Sequence, residues 1–268
     1  MKWALAGNSP LALNFYRYLF SVVIVLIVLV GRYRRPWRTL FRRPALLWLG
    51  VFNFAGSLLQ LLGIARTTST KTAVLTQLLM VVVPIFAYWI LRESVNRRKI
   101  LGILFSISGA IFLSTNLDFA NILQRGTLVG DLLVIAADIF WALFIVYSRK
   151  WAQVEDVFLL LAASQVTTFV FCLLGVGAFP TALSIDFVGL AVGLFLATAC
   201  TIIPTLLYNY SLRRIDATTS TIFGPVELIT AVALAYVFLG DRFTLVEALG
   251  TFLILISIYI ITWRKPSR

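Results

Sequence analysis

Residues 87–102 read AYWILRESVNRRKILG, and residues 235–250 read AYVFLGDRFTLVEALG. The two stretches align without a gap at a separation of 148 residues. Apolar matches are common by chance in an apolar chain, but a tyrosine, an acid and a glycine also coincide, in the pairs Ala87/Ala235, Tyr88/Tyr236, Leu91/Leu239, Glu93/Asp241, Leu101/Leu249 and Gly102/Gly250. The chain is therefore predicted to contain an internal repeat.

The composition of the chain is that of a membrane protein. Of its 268 residues, 60% are hydrophobic and 13% are charged, whereas soluble domains average about 45–50% apolar and ~25% charged residues. There is no histidine, and the two cysteines lie within apolar runs, so we expect no metal site, no cofactor and no histidine-based catalysis. The net charge is +12, but the basic residues lie in short connectors and not along one face of a helix or domain. This distribution argues against a nucleic-acid partner.

Nine segments are long and apolar enough to cross a bilayer, which takes a helix of roughly 20 residues. The connectors between them are short, which leaves no room for a soluble domain. We therefore predict an all-α, polytopic membrane protein with nine transmembrane helices, near residues 10–30, 45–65, 72–91, 99–116, 128–148, 157–178, 187–211, 217–239 and 244–263.

The basic residues predict the orientation of the chain, because connectors rich in lysine and arginine stay in the cytoplasm. Seventeen of the 23 lysines and arginines fall on one side of the predicted membrane, in connectors 32–43, 92–99, 149–150, 213–214 and 264–268. That side is predicted to be cytoplasmic, with the C-terminus inside the cell and the protein in the cytoplasmic (inner) membrane.

The repeat divides the chain into halves at 1–116 and 128–263. The separation of 148 residues also places Lys2 on Lys150, directly after the span at 128–148, so the first half lacks the counterpart of that span. An odd number of spans in each half makes two repeats face opposite ways across the membrane. We therefore expect a ten-helix protein built from two inverted sets of five, whose first helix is missing here through truncation or a misassigned start.

Short motifs recur in both halves in the same order. The first half has Ser9, Pro10, Arg17, Thr67 to Thr70, Pro84, Glu93 and Gly102; the second has Gly130, Asp131, Trp141, Ala217 to Ser220, Gly224 to Val226, Gly240, Asp241 and Gly250. Over nearly the whole chain this order and spacing resembles the EamA type of the drug/metabolite transporter (DMT) superfamily. Asp241 stands where that family more often has glutamate.

The resemblance implies ten helices in inverted halves around a central cavity. It also implies movement of small metabolites, driven by proton or solute exchange. It does not specify a substrate, because members of the family transport amino acids, nucleotide sugars, vitamins and cationic drugs.

Three ionisable residues fall within predicted spans: Arg17, Asp138 and Glu227. A charge in lipid costs about 2.5 to 3.5 kcal/mol on insertion scales, so such residues usually face a cavity or the protein interior. In a functional role, such a residue is a proton switch or the partner of a charge on the substrate. In a structural role, it belongs to an ion pair or is a carboxyl kept neutral by burial. Glu227 is the strongest candidate, because it follows the helix-breaking Pro225 by two residues.

Several uncharged residues are further candidates for the cavity wall. The amides of Asn53, Gln60, Gln77 and Gln165 offer donors and acceptors to a polar solute, although hydrogen bonds between helices are the favoured explanation for each of them. Trp141 is deep enough to face a solute. Pro84 and Pro204 are predicted to bend their helices, and Gly56, which aligns with Pro204, is interpreted as a flexible position.

We interpret the chain as a secondary active transporter (permease or exporter) that works by alternating access. The alternatives are an integral-membrane enzyme, which would need a reactive cluster that the sequence lacks, and a structural or regulatory membrane subunit, which would not need charges within spans. We therefore expect no enzymatic activity. The expected partners are a small-molecule substrate and the lipid bilayer, and a homodimer stays an open alternative.

Overall fold

The computed structural model describes residues 10–31, 44–115, 117, 126–178, 185–239 and 244–262. Ser9, the basic stretch 32–43, Gly240 and Asp241, which the sequence interpretation used, lie outside these residues. Within them the chain forms twelve α-helices: α1 Pro10–Gly31, α2 Leu47–Ile64, α3 Ser69–Leu75, α4 Leu79–Phe86, α5 Arg97–Thr115, α6 Leu128–Ala152, α7 Val157–Ala178, α8 Phe187–Ala197, α9 Ile203–Ser211, α10 Ala217–Ile222, α11 Val226–Leu239 and α12 Leu245–Thr262.

The described residues contain nine helical stretches that are long and apolar enough to cross a membrane, which confirms the prediction of an all-helical polytopic protein. Some stretches join two helices. α3 and α4 are joined by a 3₁₀ turn, Thr76–Leu78, and α8 and α9 by a π-helical turn, Thr198–Ile202. The largest difference in bounds is in α6, which continues four residues beyond the predicted span 128–148 to Ala152.

The helix bounds follow the repeat. The stretch 69–91 and the stretch 217–239 are separated by 148 residues at both ends, and α5 and α12 begin 148 residues apart. Even the caps correspond, since Thr68 accepts a hydrogen bond from the Lys71 amide at the start of α3, and Asp216 accepts one from the Thr219 amide at the start of α10. These caps satisfy amides that have no partner within the first turn of a helix.

Two pairs of repeat-related helices touch each other and run antiparallel, which shows that the halves are inverted. α1 meets α7 through Asn14 with Cys172 and Ser21 with Gln165. α5 crosses α12 at Gly109, where an added Cβ would lie 2.6 Å from the carbonyl oxygen of Gly250. Small residues at such a crossing let two helix backbones approach closely in a membrane.

The best-packed part of the bundle lies among α1, α2, α6 and α7. Leu29, Leu49 and Leu160 are completely or almost completely buried there in one apolar cluster. In the most apolar 18-residue window of Val157–Gly175, 67% of the residues are buried. In the corresponding windows of Phe187–Ser211 and Leu245–Thr262, 17% of the residues are buried. The poorly buried helices present apolar side chains outward, as expected where the surrounding solvent is lipid.

Candidate functional site

A cavity of about 770 Å³ lies between the two halves. Its wall takes residues from α1, α2, α6, the π-helical turn Thr198–Ile202 and the stretches 69–91 and 217–239. A volume of this size lies within the range of about 300–1,000 Å³ usual for small-molecule sites. The cavity is therefore large enough for a metabolite.

Both halves depart from regular α-helix at the cavity, the first through a 3₁₀ turn within a continuous helical stretch and the second through a turn between two helices, and these helix breaks occupy equivalent places in the repeat. The 3₁₀ turn Thr76–Leu78 contains Gln77, and the turn 223–225 contains Pro225, which lies 148 residues further on. Both residues line the cavity. Paired interruptions of this kind in inverted halves mark the substrate sites of many transporters.

Arg17 reaches the cavity from α1 and is held by the π-helical turn. Its Nε donates a hydrogen bond to Thr201 Oγ1 at 2.7 Å, and Thr201 Oγ1 donates in turn to the Leu196 carbonyl at 2.8 Å. Among the described residues no carboxylate lies within ion-pair distance of Arg17. The guanidinium therefore lines the cavity without a negatively charged partner from that part of the chain.

The two acids stand in different parts of the same cavity wall. Asp138 projects from the middle of α6 and is 2% exposed, and Glu227 lies in the exposed first turn of α11, directly after the break at 223–225. Neither carboxylate forms an ion pair with a described residue. The alternative of a structural ion pair thus finds no support in the described part of the chain.

The uncharged candidates divide into two groups. Gln60, Gln77 and Trp141 line the cavity. Asn53 and Gln165 do not, because they lie in the polar interior between α1, α2 and α7. Asn53 accepts from Tyr18 Oη and donates to Thr168 Oγ1 at 3.0 Å.

Gln165 is fully buried and accepts a hydrogen bond from Ser21 Oγ at 3.0 Å. For both amides the structure shows hydrogen bonds between helices, which is the alternative that the sequence interpretation favoured, and neither amide lines the cavity.

The prolines mark irregular backbone. Pro84 lies inside α4, three residues before the π-helical turn Ala87–Leu91 begins. Pro204 is in the first turn of α9, directly after the π-helical turn Thr198–Ile202. A proline lacks the amide that a regular helix needs, and a wider turn accommodates that loss. Neither proline lines the cavity; of the three predicted helix breaks, only Pro225 does.

Gly56 is a packing position and not a flexible one, which corrects its interpretation from the sequence. It lies within α2, and a Cβ at Gly56 would be 3.2 Å from three ring atoms of Trp141. The absence of a side chain therefore lets α2 lie against the face of the indole.

A polar cluster at one end of the bundle was missed by the sequence interpretation. Lys71 Nζ lies 3.0 Å from Asp131 Oδ2 and 2.5 Å from Thr127 Oγ1, and Thr67 Oγ1 donates to Asp131 Oδ1. The Gly130 and Asp131 motif at the start of α6 was visible in the sequence, but its pairing with Thr67 and Lys71 of the first half was not. We call this end of the bundle the opposite face.

Contacts at the other end join the two halves. Both carboxylate oxygens of Glu93 accept from the Ala217 amide, at 3.2 and 3.1 Å, and Glu93 Oε1 lies 3.5 Å from Arg149 Nε. Lys99 Nζ lies 2.9 Å from Asp216 Oδ2. We name these three interactions the basic-face contacts, after the lysines and arginines at this end.

The electrostatics of Asp216 show that the basic-face contacts favour its charged form. Burial raises the pKa of the Asp216 carboxyl, but hydrogen bonds from Thr219 and Lys99, together with the charge of Lys99, lower it by more. The pKa of Asp216 therefore lies below its ordinary value, as expected for a carboxylate that caps a helix beside a cation.

The cavity extends toward the opposite face. Its wall includes Ile64, the last residue of α2, and Thr72 near the start of α3, while the residues of the basic-face contacts do not line it. The two halves are thus joined by contacts at the basic face, and the cavity between them extends toward the opposite face. Among the described residues there is no cluster of three or more metal-ligating side chains.

In the described part of the chain, membrane-length helices form two inverted halves with a cavity between them, an architecture that many secondary transporters share. The chain belongs to the EamA-like transporter family, which matches residues 1–115 and 128–263. This assignment confirms the resemblance found in the sequence.

Individual relatives are also named as transporters. The chain is 27% identical over 212 residues, 77% of its own length, to an uncharacterized transporter of Methanothermobacter thermautotrophicus. It is 28% identical over 233 residues, 81% of its length, to the uncharacterized transporter YetK of Bacillus subtilis. The matched stretches span 60% and 66% of these two relatives. The family and the nine membrane-length helical stretches of the described residues indicate a multi-pass membrane protein.

A solved crystal structure shares the fold. It superposes with a TM-score of 0.78 at 14% sequence identity, over 97% of this chain and 90% of the other. At this level of identity the likeness concerns the architecture of the helices alone.

Proposed function

We propose that the chain is a secondary active transporter that carries small polar metabolites across the cytoplasmic membrane by alternating access. The observation that carries the proposal is the pair of equivalent helix breaks at one cavity, where Arg17, Asp138 and Glu227 present charged groups without ion-pair partners among the described residues. A solute enters from one side and leaves on the other without chemical change, so no enzymatic step is involved.

The coupling is to protons or to exchange of a second solute. Glu227 is the proposed coupling group, because it faces the cavity at the broken helix, where backbone movement is least costly. Arg17 is the proposed partner for a negatively charged group of the solute, since its guanidinium is fixed by Thr201 and open to the cavity. The basic face is placed in the cytoplasm, together with the C-terminus.

The test is transport by the purified full chain in proteoliposomes. A panel of labelled metabolites is screened by counterflow, in which unlabelled solute inside the vesicle drives labelled solute inward without a coupling ion. Counterflow of at least one metabolite is expected. An enzyme or a structural subunit gives none, and that result would refute the proposed function.

Glu227→Gln then tests the coupling role. We expect counterflow to persist and accumulation against a gradient to be lost, because glutamine keeps the shape of glutamate but cannot carry a proton. Glu247→Gln is the matched control, since Glu247 also lies in the first turn of a helix, α12, but does not line the cavity. Undiminished accumulation by Glu227→Gln would contradict the coupling role and leave transport itself standing.

A further inference from the structure

Two polar atoms in the α6 wall of the cavity have no hydrogen-bond partner among the described residues. They are Asp138 Oδ2 and Trp141 Nε1, and both are buried. Residues three apart on an α-helix lie on one side of it, and both side chains line the cavity. A buried polar group without a protein partner needs an explanation, of which a bound ligand is one.

The chemistry of the two atoms selects the ligand group. A carboxylate oxygen accepts hydrogen bonds, and an indole nitrogen only donates. An ammonium group cannot accept from Trp141, and a carboxylate cannot donate to a charged Asp138 and would be repelled by it. A hydroxyl can accept from Trp141, and it can donate to a charged Asp138 or accept from a neutral one.

We propose that Asp138 and Trp141 form a subsite for a hydroxyl group of the transported solute. This inference rests on the proposed function, because it assumes that a solute enters the cavity. The charged candidates Arg17 and Glu227 come from α1 and α11. The charge and the hydroxyl group of a solute are thus recognised by different helices.

Gly56 keeps the subsite rigid. It allows the backbone of α2 to lie against the indole, because a Cβ there would approach Cδ1, Cδ2 and Cε2 of Trp141 to 3.2 Å. The ring of Phe144 packs edge-on against the same indole, with 5.7 Å between ring centroids. A donor held on two sides in this way discriminates between solutes by the position of their hydroxyl oxygen.

The test uses four pairs of solutes, and the two members of a pair differ by one hydroxyl. The pairs represent four charge types, in this order: zwitterionic, anionic, cationic and uncharged. The pairs are serine and alanine, lactate and propionate, ethanolamine and ethylamine, and glycerol and 1,2-propanediol. Affinity is obtained from the rise in unfolding temperature of the detergent-solubilised full chain with solute concentration. For the charge type that binds, we expect the hydroxylated member to bind about tenfold more tightly, as one additional hydrogen bond allows.

Trp141→Phe removes the indole N–H and keeps an aromatic ring, so it should reduce the preference for the hydroxylated member to about twofold or less. Trp48→Phe is the matched control and should keep the preference, because Trp48 is exposed outside the cavity. Equal binding of both members by the unaltered chain, a preference that survives Trp141→Phe, or no binding by any of the eight solutes would overturn the subsite.

A structural readout separates a solute hydroxyl from water. In protein labelled with ¹⁵N at tryptophan Nε1, the Trp141 signal is assigned as the one that disappears in Trp141→Phe. We expect it to shift with the hydroxylated solute and not with its partner. A signal that moves with neither shows that the indole bonds only water and overturns the proposal. Counterflow decides the proposed function independently of either result.

Discussion

Arg17 illustrates how a single charge is positioned within a membrane span. The sequence identified it, because an arginine so far inside an apolar stretch is costly without a role. The sequence did not identify Thr201, its hydrogen-bond partner 184 residues away. A threonine in a span is unremarkable by itself, and only the π-helical turn Thr198–Ile202 directs this hydroxyl toward α1.

Thr201 is a positioning residue, and its replacement should affect binding more than turnover. In Thr201→Val the Nε of Arg17 loses its acceptor, so we expect KM for a solute identified by counterflow to rise about tenfold, the effect of one hydrogen bond to a charged group. The expected change in kcat is small. Initial rates in proteoliposomes measure both quantities.

Two control variants test whether the hydrogen bond between Thr201 and Arg17 is responsible for the change in KM. Thr201→Ser keeps the hydroxyl and should restore KM. Thr198→Val alters the same π-helical turn, but Thr198 bonds only to carbonyls of its own helix, so KM should stay unchanged. A rise in KM in Thr198→Val equal to that in Thr201→Val would show that the turn as a whole, and not the bond to Arg17, is responsible.

At the scale of the element, the helix breaks were only partly predictable. Pro225 predicts a break, because proline has no backbone N–H to donate and disfavours the helical conformation of the residue before it. The corresponding 3₁₀ turn at Thr76–Leu78 contains no proline or glycine, and the sequence pointed to Gln77 only through its amide within an apolar span. Long-range packing, which composition does not reveal, fixes this second break.

The caps of the broken helices also belong to this scale. Asp216 begins α10 and joins it to Lys99 of the other half, and the pKa of its carboxyl is lowered in the folded protein. A lowered pKa means that the carboxylate contributes stability at pH values above its unfolded pKa of about 3.9. That contribution is lost as the pH falls through the folded value.

Asp216→Asn should therefore lower the unfolding temperature by a similar amount at each pH between about 5 and 7. The difference from the unaltered chain should shrink below about pH 4, because the native carboxylate then takes up its proton. Thermal unfolding of both proteins in detergent across this range measures the effect. In Lys99→Met the pH dependence should be weaker, and a difference that grows on acidification would contradict the assignment.

At the scale of the whole molecule, the sequence predicted the spans and the inverted repeat well, because lipid imposes length and composition on every helix. Which polar residues meet in the cavity was less predictable. Asn53 and Gln165 resemble Gln60 and Gln77 in the sequence, yet they lie in the interior between helices. Asn53 and Gln60 lie seven residues apart on one face of α2, so depth along the helix separates them, and the sequence does not show how far along that face the cavity reaches.

In the proposed alternating-access cycle, the basic-face contacts and the cavity correspond to one state. The halves are tied at the basic face through Glu93 and Lys99, and the cavity extends toward the opposite face. Weakening those ties should raise the population of the state that opens at the basic face. Two native cysteines are suited to measure it, since Cys200 is exposed and lines the cavity while Cys172 is buried.

The most direct test of alternating access is the rate at which a charged, membrane-impermeant thiol reagent modifies Cys200 from each side of oriented vesicles. We expect modification of Cys200, and not of Cys172, from the side of the opposite face. The double variant Glu93→Gln, Lys99→Met should increase modification from the basic face about tenfold, the factor that ~1.4 kcal/mol supplies. Equal rates from both sides in the unaltered chain, or no response to the double variant, would contradict the account.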